Sequence, residues 1–135
     1  MLELYKQLNC TFTDAEKEEC VPVIARIVEL AQQTRLNGLL SLDESNKTEP
    51  NFFLQTGIGM AVDSYPAETI SEFLQTLILA DAHKGYELLS RLLIARGVIE
   101  IVNGNNPKAI AQILAAMLGE EYLKRGAQYY RDFKA

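Results

Sequence analysis

The chain has 135 residues, 48% hydrophobic and 23% charged, with a formal net charge of −5. This length fits one domain, residues 1–135, with a core that needs no staples, and the composition is globular, not disordered. The negative charge argues against nucleic acid, because phosphate binding needs a basic face, and weakly against an anionic membrane surface.

No segment reads as a membrane span. The richest apolar run, Leu88 to Val102, carries Arg91, Arg96 and Glu100, whereas a bilayer helix needs about 20 mostly apolar residues. The N-terminus MLELYKQLNC has no basic region followed by an apolar stretch, so no signal peptide is expected and the location expected by default is cytoplasmic. Cys10 and Cys20 are then reduced thiols. Two cysteines and one histidine do not make a four-ligand zinc site, and no metal or cofactor is expected.

Residues 1–12 precede the first helix signal and are expected to be a mobile terminus. Thr13 and Glu16 have capping-box spacing, so a helix starts there. Pro22 either bends that helix or opens the next one. Val23, Ile24, Ile27, Val28 and Ala31 recur at helical spacing, and Asn37-Gly38 is a plausible end. After the short apolar segment Leu39–Leu42, residues 43–50 are the most loop-like stretch.

Pro50 is expected to open a helix to about Val62, and Asp63 to Pro66 to turn. Pro66 then opens a helix with Ile70, Phe73, Leu74, Leu77, Ile78 and Asp81 on one side. The same row runs on through Leu88, Leu89, Leu92 and Ile99, so residues 66–102 read as one long helix, with Gly85 as the place for a bend. Asn103 to Pro107 is the strongest breaker. A last helical region starts at Pro107, with an interruption at Gly119 and a C-terminal helix over 120–135. Its apolar side holds Tyr122, Leu123, Tyr130 and Phe133. No stretch demands a strand.

A weak internal repeat lies on this pattern. Gly57 to Asp63 echoes Gly97 to Asn103 at an offset of about 40 residues, and Ile70 and Leu74 match Ile110 and Leu114. The prolines, 66 and 107, match one residue later. The expected fold is all-α, a compact bundle of helical hairpins, either plain or containing two helix-turn-helix repeats of about 40 residues.

Few residues suggest chemistry. His83, the only histidine, is out of phase with the apolar row and is expected to face water, with no nucleophile placed beside it by a motif. Asp81 is in phase with that row and reads as a boundary residue, or as buried with Lys84 or Arg91. Gly57-Ile-Gly59 lacks the third glycine and preceding strand of a phosphate loop. Gly57 and Gly97 more plausibly let helices approach closely. The acids of residues 14–19 lack calcium-loop spacing and suit a helix N-terminus. Tyr122, Tyr129, Tyr130 and Phe133, interleaved with Lys124, Arg125, Arg131 and Lys134, suit docking onto the core or a second subunit.

Two segments carry a family resemblance. One is Ala31-Gln-Gln-Thr-Arg-Leu-Asn-Gly-Leu-Leu-Ser-Leu-Asp43, followed by Phe52-Phe-Leu-Gln-Thr-Gly57 and Val62-Asp63. The other is Ile94-Ala-Arg-Gly97-Val-Ile-Glu-Ile-Val-Asn-Gly104-Asn-Asn-Pro107. Together they resemble the cytoplasmic parts of the flagellar stator protein MotA, of the MotA/TolQ/ExbB proton-channel family. In that family two transmembrane helices separate the motifs. Here the linking segment carries Glu72, Asp81, His83, Lys84, Glu87 and Arg91 and does not suit a bilayer, so ion conduction is not implied.

What the resemblance implies is a non-enzymatic helical interaction module like the stator's cytoplasmic domain, bound to a rotor-like or other motility partner. In MotA, a loop arginine and a loop glutamate act on the rotor protein FliG; the matching positions here are Arg35 and Asp43. Both sit at a helix end beside a polar loop, where opposite charges steer a partner and fix register. The alternatives are a homo-oligomeric structural protein and a small helical ligand-binding domain.

Overall fold

A computed structural model describes residues 11–125. Helix α1, Asp14–Glu19, begins with the capping box: Thr13 N–H donates to Glu16 Oε1 at 2.8 Å, and Glu16 N–H to Thr13 Oγ1 at 3.1 Å. Cys20 separates it from α2, Val21–Asn37. Pro22 lies in the first turn of α2, where a missing N–H costs no helical bond. It therefore opens a helix and does not bend one. Ile24, Ile27, Val28, Leu30 and Ala31 form the buried side of α2.

The helix stops at Gly38, whose N–H donates to Thr34 O at 2.7 Å. A 3-10 turn, Leu39–Ser41, leads into α3, Leu42–Asn46. The stretch 43–50 is therefore not loop throughout: Leu42 is fully buried and anchors one helical turn, with Asp43 and Glu44 at its dipole-favoured start. Asn46 and Gln55 exchange side-chain to backbone hydrogen bonds at 3.0 Å each, which ties that turn to α4, Phe52–Val62. Asn51, not Pro50, caps α4 by accepting from Leu54 N–H at 3.0 Å.

Residues 66–102 form two helices, α5 (Ala67–Ala80) and α6 (Gly85–Val102). Asp81 and Lys84 are extended, and Gly85 has φ +56°, a left-handed conformation that breaks the hydrogen-bond ladder and suits glycine. A shared hydrophobic phase does not forbid a four-residue break. Phe73, expected on the buried row, is 44% exposed. Then come α7, Pro107–Leu118, and after Gly119 α8, Glu120–Lys124. In α8 Tyr122 is buried and Leu123 is exposed, so only one of the two expected apolar residues faces the core. Cys10, most of the 1–12 terminus, and the aromatic and basic residues beyond 125 lie outside the described residues. No strand occurs among the described residues.

The core is organised round α6. Leu88, Leu89, Leu92, Leu93, Ile94, Ala95, Val98 and Ile101 are all buried, and they point to every side of the helix. Such a helix is stable only when surrounded. Helices α1, α2, α4, α5 and α7 all pack on it, and α2 also packs along α7. Each fully buried leucine or isoleucine contributes about 1.5–3 kcal/mol.

The repeat appears in the backbone. At the end of α4, Asp63, Ser64 and Tyr65 N–H groups donate to Gly59, Ala61 and Met60 carbonyls at 3.0, 3.0 and 3.1 Å. At the end of α6, Asn103, Gly104 and Asn105 donate to Ile99, Ile101 and Glu100 at 2.9, 3.0 and 3.1 Å. Every donor and acceptor is displaced by the same offset. Ser64 and Gly104 have φ of 67° and 78°. The one-residue slip of the prolines has a cause: Pro66 is the residue before α5, whereas Asn106 fills that place before α7 and Pro107 is its first helical residue. Ile70, Leu74 and Ile78 are buried, as are Ile110, Leu114 and Leu118.

The two repeat glycines sit at helix contacts. A Cβ on Gly57 would lie 3.2 Å from Val98 Cγ2, whereas one on Gly97 would lie 2.5 Å from Ile27 Cγ2. Gly97→Ala is therefore expected to destabilise the fold by about 1–3 kcal/mol through overpacking, and Gly57→Ala by less. Urea denaturation checks the order. Adding Ile27→Ala to Gly97→Ala should cost less than the sum of the two single changes, because the pair shares one contact.

Candidate functional site

Arg35 and Asp43 occupy the two sides of one turn. Arg35 lies in the last turn of α2 and Asp43 in the first turn of α3; both are exposed. Between them Leu36 is 81% and Leu40 72% exposed. The turn carrying them is tightly bonded. Ser41 Oγ donates to Gly38 O at 2.6 Å, Gln33 Nε2 to Ser41 O at 3.0 Å, and Thr34 Oγ1 to Leu30 O at 2.9 Å. Leu42 anchors it from beneath. The tip thus holds two unburied leucines and two opposite charges on an ordered frame. The sequence points to the charges. The leucines escape sequence reasoning because they belong to an apolar run whose other members, Leu39 and Leu42, do pack inward.

Arg35 also borders a hollow of about 450 Å³, with Ala31 and Thr34 on one side and Ile101, Gly104, Asn105 and Asn106 on the other. Stretches near residues 31–35 and 101–106 therefore meet here, although about 65 positions separate them in the chain. Below the second turn, Glu100 is only 8% exposed. Its carboxylate accepts from Arg96 Nε at 2.8 Å and from Asn105 Nδ2. A buried carboxylate is tolerable only when paired in this way, and the pairing fixes the turn that faces Arg35.

His83 does not face water freely; it is half-buried. Its Nε2 lies 3.7 Å from Asp81 Oδ2, beyond hydrogen-bond distance; Asp81 is exposed, not buried with Lys84 or Arg91. Both line an open cleft of about 380 Å³ between the start of α4 and the α5–α6 junction. Ser90 shares that cleft, but its hydroxyl is buried and donates to Glu87 O at 3.1 Å. No hydrogen bond joins it to His83 among the described residues, and no activated nucleophile arises there.

At the opposite chain end, Glu18 Oε1 accepts from Tyr122 OH at 3.1 Å and Arg125 Nη2 at 2.8 Å. The Arg125 hydrogen bond holds the Glu18 carboxyl below its usual range. Arg125 also lies 4.3 Å over the Tyr122 ring, so α8 is clasped to α1. Among the described residues no group of three histidine, cysteine or acidic side chains is placed to hold a metal, and no helix is long and apolar enough to cross a membrane.

Comparison with family models, curated proteins and solved structures finds no match.

Cys20 is fully buried. Burial chiefly, with Glu19 and Glu16 adding to it, pushes its thiol up to about 12. It is therefore expected to resist a thiol reagent in the native protein and to react on unfolding, with peptide mapping to separate it from Cys10. The folded thiol keeps its proton to about pH 12, whereas the unfolded one loses it near 9.0. The stabilisation is complete below pH 9 and is lost as pH rises towards 12. Denaturation midpoints across that window should fall, and a Cys20→Ala variant should lack this component.

Proposed function

We propose that this protein is a non-enzymatic helical interaction module akin to the MotA stator cytoplasmic domain, binding a motility-related protein partner at the α2–α3 tip. The observation that carries this is the tip itself. Leu36 and Leu40 are largely exposed beside the exposed charges Arg35 and Asp43, on a turn held by its own hydrogen bonds. Ordered apolar residues left in water lose the benefit of burial, and a partner would restore it. Opposite charges beside them would set orientation and association rate. The meeting of both MotA-like segments at the Arg35 hollow supports the same reading, since a binding surface assembled from both would account for both.

A homo-oligomer is the second reading. Phe73 and Leu79 on α5 are both about half exposed, apolar surface that a second copy would cover. Light scattering after size exclusion separates it from the first: a concentration-dependent dimer broken by Phe73→Ser would favour it.

Charge reversal tests the first reading. Arg35→Glu is expected to leave the fold intact, because exposed substitutions usually shift stability by no more than about 0.5 kcal/mol. Capture of partners from a motile-cell extract by the native chain should fall with Arg35→Glu and with Leu36→Ser. The Arg35 effect should shrink as salt rises. Unchanged capture by both variants at low ionic strength would remove the tip from the interface.

A further inference from the structure

We infer that the open cleft between the start of α4 and the α5–α6 junction receives an arginine side chain from a protein ligand, at a site that shares no residue with the tip.

Three features point to a cation. Phe52, the first helical residue of α4, is 74% exposed and stands at the cleft with Phe53 beside it. Aromatic faces attract cations through their quadrupole, and a planar guanidinium also stacks on them. The cleft already shows this affinity internally, since the Arg91 guanidinium lies 5.8 Å from the Phe53 ring centroid.

The charge balance leaves one acid unserved. Arg91 Nη1 is committed to Glu87, donating to Oε2 at 2.8 Å and to the backbone oxygen at 3.0 Å. Among the described residues Asp81 has His83 beside it at 3.7 Å, which is too long for a hydrogen bond. The cleft's guanidinium thus serves Glu87, and the exposed Asp81 carboxylate keeps oxygens to offer. Lys84 is close in sequence but does not line the cleft.

These features select arginine over other ligands. Phe52 and Asp81 line the same cleft, which offers a guanidinium both an aromatic face and a carboxylate, whereas a lysine ammonium matches these only by charge. An anion would meet the Asp81 and Glu87 carboxylates, with the one guanidinium already engaged. An apolar side chain would satisfy Phe52 and leave Asp81 unused.

The test titrates the isotope-labelled protein, followed by NMR at low salt, with the blocked tripeptide acetyl-Gly-Arg-Gly-amide. Parallel titrations use lysine, citrulline or glutamate at the central position. The arginine peptide should give saturable shifts confined to residues 51–53 and 81–91. Citrulline, of similar shape without the charge, should bind about tenfold more weakly or worse, and lysine more weakly than arginine. Phe52→Ala and Asp81→Asn should each reduce arginine affinity severalfold with the remaining spectrum unchanged; both positions are exposed, so both variants are expected to fold. Absence of saturable shifts, equal binding of citrulline or lysine, or preference for glutamate would each overturn the inference. Because none of these residues belongs to the tip, failure here leaves the tip proposal standing, and the reverse holds.

Discussion

Everything in this fold depends on enclosing α6. Its apolar residues point in all directions, so no single partner helix can satisfy it. Burying Leu92 and Ile94, about 200° apart round the helix, requires neighbours on two sides. Helices α1, α2, α4, α5 and α7 accordingly pack round it. That requirement explains why Gly97 must be small: α2 crosses α6 there with Ile27 pressed against the backbone. Enclosure also makes the buried charge in α6 dependent on its partners. Glu100 is buried near the helix end, and it is tolerated because Arg96 and Asn105 bind it.

The helices were legible wherever local chemistry and periodicity agreed. The capping box at Thr13, the proline at the head of α2, and the breaker at 103–107 each form the feature that their residues dictate. The repeat was legible too, because a turn that ends one helix and opens another constrains residues at fixed offsets. What was not legible followed from tertiary context. The hydrophobic phase of α5 continues into α6, yet the chain breaks at 81–84 because α5 and α6 must pack against each other, which one straight helix cannot do. A single buried leucine, Leu42, converts half of an apparent loop into α3. His83 is out of phase on a continuous helix, but it does not lie on a helix at all, so phase carries no information about its burial.

The candidate sites show the same division. Sequence can point to charges near a helix end, and Arg35 and Asp43 do lie on the surface. It cannot tell which leucines of a run such as Leu36, Leu39, Leu40 and Leu42 remain in water, because the 3-10 turn at Leu39–Ser41 resets the angular phase between α2 and α3. Nor can it show that residues near 35 and near 105 border one hollow. That juxtaposition exists only because α2 packs along both α6 and α7, and so carries its end to the turn between them.

The position of charge relative to order also bears on the kind of activity the fold can support. Catalytic groups need polar side chains held in concave, partly dehydrated surroundings, where pKa values move and a nucleophile meets its base. Among the described residues, the buried ionisable and nucleophilic groups are spent on structure. Cys20 is sealed in the core with its thiol raised, Ser90 is bonded to its own helix, and Glu100 is bound by its neighbours. Other ordered groups, Arg35, Leu36, Leu40 and Asp43, lie instead on the exposed α2–α3 tip. Exposed, ordered and amphipathic surfaces present side chains to another macromolecule more readily than they enclose a small substrate. The distinction between a pocket that alters chemistry and a surface that offers contact is what the proposed recognition role rests on.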